Sequence, residues 1–251
     1  MTAQRGYDYE RNAVKALQLY DVIPRGFSPA GANNDIPDLL LKLPGVGNAP
    51  VGCELKIKAA SAGSIAMYWN KKDKWSIGKE GEKDLEKLFI IDLAKEVGIV
   101  KQLNKKWNQE PYKFSNKETG LERQQVYEAE RNRFPEINGS VSADNIEKYY
   151  NKKKSYYVNV GTNGFYMLGN KNPLRFKNVP TFASAATAKY RARVQPKGRG
   201  YYQFTFEMIF SIPVSKNSPY NIAPVMGNTV NIDKELMMGS LKGLFGINNT
   251  E

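Results

Sequence analysis

Two acidic residues and a lysine near the start of the chain have the types and spacing that metal-assisted chemistry requires. Asp38 follows Pro37 at the beginning of one apolar segment, and Glu54 and Lys56 stand two residues apart in the next. Carboxylate oxygens are the ligands that Mg²⁺ prefers, and a bound ion could lower the pKa of a water molecule and offset charge developing on phosphorus. Lys56 could orient that water or stabilise the pentacovalent phosphate. We therefore expect a phosphodiesterase centre that uses Mg²⁺, for which Mn²⁺ could substitute.

Two predicted strands must position these groups. Pro37–Leu43 and Val51–Lys58 have strand patterns, and the seven residues that connect them, Pro44–Pro50, allow antiparallel pairing. Side chains alternate between the two faces of a strand, so Glu54 and Lys56 share a face. Pairing can then bring Asp38 beside Glu54.

Asp35 is a rival for the first carboxylate. Asp38 is preferred because it begins the strand that contains Leu39, Leu40 and Leu41. Asp35 is retained as a helper of the metal site.

These residues resemble the signature of the PD-(D/E)xK nuclease superfamily, with Pro37-Asp38 on one strand and Glu54-Leu55-Lys56 on the next. The opening segment Arg5–Arg11 is similar to that of archaeal Holliday-junction resolvases of this superfamily, whose first helix supplies a further metal-site glutamate. Glu10 is the matching position. The resemblance covers about residues 5–58, and the remainder matches no particular family.

The resemblance implies an α/β protein, with α and β elements around a mixed sheet, built on a PD-(D/E)xK core. We expect three parts: the nuclease core at 1–110, a helical insertion at 111–154, and a basic β-rich part at 155–251 that completes the sheet and contacts DNA. The implied catalytic residues are Glu10, Asp38, Glu54 and Lys56, of which the three carboxylates bind the metal.

The composition excludes several other classes of enzyme. The chain has no histidine, so catalysis by Ser-His-Asp or Cys-His groups and zinc sites with histidine ligands are ruled out as usually built. The motif Gly45-Val46-Gly47 lacks the Gly-Lys-Ser/Thr of a phosphate-binding loop, so no nucleotide cofactor is expected. Cys53 is the only cysteine and no apolar segment is long enough for a membrane span, which favours an intracellular protein that does not contact a membrane. The expected location is the cytoplasm, or the host-cell cytoplasm if a virus encodes the chain.

The net charge of +12 is concentrated in the second half of the chain, which predicts a polyphosphate partner. No acidic residue occurs between Lys148 and Phe206, a stretch with twelve lysines and arginines. Lys189, Arg191 and Arg193 share one face of a predicted strand that leads into a turn. The predicted DNA-contacting residues are Lys58, Lys152, Lys153, Lys154, Lys189, Arg191, Arg193, Lys197 and Arg199.

The expected activity is site-specific cleavage of duplex DNA, as in restriction-type or homing-type enzymes, because a junction resolvase would need little beyond the first half of the chain. Symmetric double-strand cutting would favour a homodimer. The alternatives are a Holliday-junction resolvase or other structure-specific nuclease, an enzyme directed at RNA, and a non-catalytic DNA-binding or RNA-binding protein.

Periodicity predicts the remaining elements. Helical patterns cover Tyr7–Tyr20, Glu80–Trp107, Glu122–Arg133 and Ala143–Lys153. Asp21–Ala30 is predicted to contain a short strand, Ala59–Ala66 to be a flexible stretch, and the tail after Pro213 is weakly patterned. Two hairpins are predicted, one with Tyr156–Val160 and Gly164–Leu168 and one with Lys189–Val194 and Tyr201–Ile212.

Overall fold

A computed structural model describes residues 2–29, 35–43, 46–59, 61–78, 84–114, 118–197, 203–227 and 229–246. In chain order, its helices and strands are α1 (Thr2–Leu19), β1 (Leu39–Leu43), β2 (Val46–Lys56), β3 (Gly63–Asn70), β4 (Lys74–Ile77), α2 (Leu85–Glu96), α3 (Ile99–Lys106), α4 (Gly120–Arg133), β5 (Ile137–Ser140), α5 (Asp144–Asn151), β6 (Ser155–Val160), β7 (Gly164–Met167), α6 (Phe182–Ala185), β8 (Lys189–Lys197), β9 (Gln203–Ser211) and α7 (Lys234–Phe245). Within these ranges, no helix has the length and apolar character that crossing a membrane requires.

The chain divides into two compact units, and each unit is assembled from separate segments. The first contains residues 1–60, 142–187 and 212–251, and the second contains 61–141 and 188–211. This division differs from the expected boundaries at 110 and 154, because the basic β-rich segment contributes strands to both units.

The first unit is built on a mixed sheet with the strand order β1-β2-β6-β7. β1 and β2 are antiparallel, β2 and β6 are parallel, and β6 and β7 are antiparallel. Residues spaced three and four apart on α1, including Tyr9, Ala13 and Leu17, are buried in the same core as Leu39 and Leu55 from the sheet. The observed architecture is therefore α+β around a mixed sheet, as expected at this coarse level.

The second unit is an antiparallel sheet with the order β4-β3-β9-β8-β5. One face is apolar, and its aromatic residues pack edge to face: the ring of Trp75 lies 5.3 Å from Trp107, 5.8 Å from Phe134 and 4.7 Å from Phe206. Helices α2, α3 and α4 contact this unit's strands. The helical segment and the β8–β9 hairpin thus form one unit.

Four expected elements differ from the structure. No strand forms in the described part of Asp21–Ala30, where Val22 and Ile23 enter the core from a turn instead. The stretch 59–66 was predicted to be flexible, but its residues from Gly63 onward belong to β3. The helix predicted at Glu80–Trp107 is two helices, α2 and α3, which are separated at Gly98, a residue with a left-handed φ of 61°. The weakly patterned tail contains α7, which begins after an N-cap at Asp233.

Candidate active site

Strand pairing places Asp38 beside Glu54. Leu39 pairs with Cys53 in the antiparallel β1–β2 ladder, so Asp38, one residue before Leu39, lies next to Glu54. The carboxylate of Asp38 is fixed there because its Oδ2 accepts a hydrogen bond of 2.8 Å from the backbone N–H of Leu55. β2 begins at Val46, so the connection between the strands is shorter than the expected seven residues.

Lys56 lies beside Glu54, as the alternation of side chains along β2 predicted, and completes the group with Asp38. Its Nζ lies 3.4 Å from Oε2 of Glu54 and 3.9 Å from Oδ2 of Asp38. The side chains of Asp38 and Glu54 are 7% and 0% exposed, whereas that of Lys56 is 23% exposed. Lys56 is therefore the member of the trio whose side chain is partly open to solvent.

The three groups change one another's protonation. Burial, followed by the charge of Glu54, raises the pKa of Asp38. Burial would also raise the pKa of Glu54, but the ammonium groups of Lys56 and Lys153 outweigh it and lower that pKa. Burial opposes the charge of Lys56, yet the carboxylates of Asp38 and Glu54 raise its pKa. Lys56 is therefore a cation at neutral pH and cannot act there as a base.

Two further groups bind Glu54 that sequence reasoning did not assign to it. The Ser155 hydroxyl donates a 2.7 Å hydrogen bond to Oε1, and Lys153 Nζ lies 3.0 Å from Oε2. Both reach the site because β6 begins at Ser155, which pairs with Gly52 of β2. The pairing is long-range, so no local pattern could have revealed it.

The structure corrects the role expected of Lys153, which was grouped with Lys152 and Lys154 as a DNA contact. Lys153 is 3% exposed, and its ammonium is used by Glu54, so it cannot lie on a phosphate backbone. Lys152 and Lys154 are exposed. The run of three lysines thus turns one side chain inward and two outward at the end of α5.

Glu10 faces the same site from α1. Its Oε2 is buried and makes no hydrogen bond within the described part of the chain. Burial, followed by the charge of Asp38, raises the pKa of Glu10 to about 7. The neighbouring Tyr9 holds the helix on the sheet, because its hydroxyl accepts a 2.9 Å hydrogen bond from Asn159 Nδ2 on β6.

The donor types fit a hard cation, although the carboxylates are not gathered around a common point. Among residues that the structure describes, no group of three or more histidine, cysteine, aspartate or glutamate side chains is arranged to hold a metal ion. Among the described residues, Oε2 of Glu10 has no hydrogen-bond partner, and burial raises the pKa values of both Glu10 and Asp38, so a cation bound beside them would stabilise their charged forms. Oxygen ligands of this kind suit Mg²⁺. Asp35, the rival carboxylate, is exposed.

The other predicted DNA contacts lie at the surface to different degrees. Lys58, Lys189 and Lys197 are exposed, while Arg191 and Arg193 are partly buried. Lys197 donates a 2.6 Å hydrogen bond to Glu207. Arg199 lies outside the described residues.

Comparison with known proteins finds no matching family model, no similar curated protein and no similar solved structure. What the chain can do must therefore be inferred from its own residues.

Proposed function

We propose that the chain is a magnesium-dependent nuclease that hydrolyses phosphodiester bonds in DNA. The observation that carries this proposal is the convergence of two buried carboxylates, Asp38 and Glu54, with the ammonium of Lys56, at distances of 3.4 and 3.9 Å. Such a group combines oxygen ligands for a cation with a positive charge for a phosphate. The resemblance to the PD-(D/E)xK signature and the net charge of +12 support the same class.

The residues that would hold Mg²⁺ are Asp38, Glu54 and Glu10. A bound ion would neutralise charge on the phosphate oxygens and make the attacking water more acidic. Glu54 would contribute less freely than the other two, because Ser155 and Lys153 already use its oxygens. Glu10 and Asp38 are thus the principal ligands of this proposal.

Lys56 and solvent would do the rest of the reaction. The water oxygen would form a bond to phosphorus as the bond from phosphorus to one ester oxygen breaks. The leaving oxygen would take up a proton from solvent, so that the products are a phosphate monoester and a hydroxyl group. The partly exposed Lys56, held protonated by two carboxylates, would donate to a phosphate oxygen as negative charge develops. Because Glu10 is assigned to the metal in this proposal, the proton of the attacking water would pass to bulk solvent.

DNA is the proposed substrate because of the basic charge. Residues 136–251 contain fifteen lysines and arginines against seven acidic residues. A basic surface binds the phosphate backbone whatever its sequence, with an affinity that falls as salt rises. Site-specific cutting of duplex DNA is the preferred form of the activity, and cleavage of junctions is its alternative.

The test is digestion of supercoiled plasmid with Mg²⁺ or with a chelator. Cleavage is expected only with Mg²⁺, and we expect Asp38→Asn or Lys56→Ala to slow it by about a hundredfold or more while DNA binding persists. Lys42→Ala is the matched lysine control, since Lys42 is exposed on β1. Asp35→Asn should leave most activity. Cleavage that survives Asp38→Asn and Lys56→Ala would refute the assignment.

A non-catalytic DNA-binding protein is the second candidate. The observation that favours it is the full use of Glu54, whose two oxygens are bound by Ser155 and Lys153. This candidate predicts salt-dependent DNA binding and no cleavage with either Mg²⁺ or Mn²⁺.

A further inference from the structure

The hairpin formed by β8 and β9 extends beyond the strands that flank it. The two strands pair along their whole lengths, from Lys189 with Ser211 to Lys197 with Gln203. β5 pairs only with residues 189–192, and β3 pairs only with residues 206–210. Residues 193–197 and 203–205, which we call the ribbon, therefore have no flanking strand among the described residues.

One face of this hairpin packs within its own unit. Val194 and Phe206 are buried, and the ring of Phe204 lies 5.0 Å from that of Phe114. Because side chains alternate, the opposite face carries Arg191, Arg193 and Gln195 at every second position of β8.

These three side chains have unused hydrogen-bonding groups. Nε of Arg191, Nε of Arg193 and Oε1 of Gln195 are buried and have no hydrogen-bond partner among the residues that the structure describes. Buried polar atoms are normally paired, so each such atom requires an explanation.

The acid opposite Arg193 on β9 forms no ion pair with it within the described ranges. Glu207 pairs with Arg193 across the ladder, but its Oε1 accepts hydrogen bonds from Lys197 at 2.6 Å and from Thr205 at 3.1 Å. Within the described ranges, no ion pair involves Arg191 or Arg193. The Nε atom of each of these arginines is thus left for a partner that carries acceptors.

A cavity of about 380 Å³ lies beside the ribbon, and Arg193 and Gln195 line it together with Arg131 and Glu136. The side chains of Arg193 and Gln195 therefore border open space.

We propose that Arg193 and Gln195, on the ribbon, read the base sequence of duplex DNA in the major groove. This inference rests on the proposed function only in taking DNA as the partner. Arginine can form two hydrogen bonds with the O6 and N7 atoms of guanine, and glutamine can do so with N6 and N7 of adenine. Alternate residues of a strand are roughly 6.8 Å apart, which equals two base-pair steps of about 3.4 Å.

The shape of the partner also favours duplex DNA. The major groove of B-form DNA admits a two-stranded ribbon, whereas that of A-form RNA is too deep and narrow for side chains to read. The exposed Lys189, at the start of β8, would contact a phosphate and carry no sequence information.

The experiment is selection of bound sequences from a library of random 20-base-pair duplexes, with a chelator present so that no strand is cut. The wild type should enrich one motif. Arg193→Lys keeps the charge but loses the planar fork, and Gln195→Ala loses the amide, so each should weaken the preference at one base pair by about tenfold to a hundredfold. Lys189→Gln is the control, and it should weaken binding to all sequences alike while the motif persists.

Two results would overturn the proposal: equal recovery of every sequence by the wild type, or an unchanged motif in both Arg193→Lys and Gln195→Ala after circular dichroism shows that they fold. Preference for A-form RNA over duplex DNA would overturn it as well. Plasmid digestion with the same preparation separates the two proposals. Cleavage without an enriched motif would support the nuclease proposal and reject sequence reading by the ribbon. An enriched motif without cleavage would support sequence reading and reject the nuclease proposal.

Discussion

Lys153 and Glu54 form a buried ion pair, with Nζ of Lys153 3.0 Å from Oε2 of Glu54. The two residues are 99 positions apart and meet because β6 lies parallel to β2. Lys56 contacts the same oxygen at 3.4 Å. Two ammonium groups thus share one carboxylate. A cation that binds Glu54 would have to bind next to both ammonium groups.

Replacing Lys153 with methionine should destabilise the protein and increase its response to Mg²⁺. The change leaves Glu54 buried with only Lys56 and Ser155, and removing one partner of a buried pair costs about 3 kcal/mol or more. If Glu54 is a metal ligand, Mg²⁺ should recover part of this loss because it restores positive charge. Thermal unfolding with Mg²⁺ and with a chelator measures both effects.

Lys152→Met is the control, because Lys152 is the exposed neighbour of Lys153. It should change the unfolding temperature little under either condition. An equal response to Mg²⁺ in the wild type and in Lys153→Met would argue against Glu54 as a metal ligand.

Gly52 allows the backbone at Lys154 to pack directly against β2, which places the neighbouring Lys153 in the site. A Cβ atom at this position would lie 2.5 Å from the backbone oxygen of Lys154 and 2.6 Å from Cγ of Pro37. Gly52→Ala should therefore force apart the segments that carry Asp38 and Lys153. We expect a loss of about 3 kcal/mol in the free energy of unfolding, measured by urea denaturation, and a loss of cleavage with it.

Gly6→Ala provides the matched glycine control. Gly6 lies in α1, and a Cβ atom there would meet nothing within 4 Å. Alanine in a helix is more stable than glycine by about 0.5–1 kcal/mol, so this variant should be slightly more stable than the wild type. Equal effects of the two substitutions would show that close packing at Gly52 is not required.

The local part of the site could be predicted because it depends on short-range geometry. The alternation of β2 puts Glu54 and Lys56 on one face, and a tight connection to β1 can bring only a residue near Asp38 alongside. A helix with Tyr9, Ala13 and Leu17 on one side must turn that side toward the sheet, which fixes where Glu10 lies.

The rest depends on pairings between distant segments. Ser155 and Lys153 enter the site through the parallel contact of β6 with β2, and a lysine run gives no sign that its middle member is buried. β3 was hidden because its first residues are small and resemble a linker, although burial of Ile65 and Met67 makes it a strand. The two units are made of interleaved segments, so no composition boundary marks them.

The hydrogen bond between Tyr9 and Asn159 should control the position of Glu10 as well as stability. Asn159 Nδ2 donates to the Tyr9 hydroxyl at 2.9 Å, and Asn159 Oδ1 accepts from the N–H of Ile222 at 3.0 Å. Tyr9→Phe should lower the free energy of unfolding by about 1–2 kcal/mol, because it leaves one buried donor unpaired. Asn159→Leu should cost more, since it also leaves the Ile222 N–H without a partner.

Urea denaturation gives the two free energies, and plasmid cleavage reports on Glu10. Tyr7→Phe is the control for the hydroxyl, because Tyr7 is exposed on the same helix. If Tyr9→Phe and Tyr7→Phe had the same effect, the bond would have no structural role.

The raised pKa of Glu10 predicts a pH-dependent gain in stability when its charge is removed. Its pKa is about 7 in the folded protein against a usual 4.5, so its neutral form stabilises the fold below about pH 4.5, and this contribution is lost as the pH rises through 7. Glu10→Gln stays neutral at every pH. The variant should therefore match the wild type near pH 4 and become the more stable of the two at pH 8, with the difference growing between these values.

Urea denaturation across this range, with a chelator present, measures the difference directly, because titrations common to both proteins cancel. Glu128→Gln, an exposed glutamate on α4, is the control and should show no such trend. Adding Mg²⁺ should reverse the order at pH 8, since an ion bound to Glu10 stabilises only the wild type. If the difference in unfolding free energy between Glu10→Gln and the wild type were the same at all pH values, the folded protein would not disfavour the charge of Glu10. Glu10 would then have no support as a metal ligand.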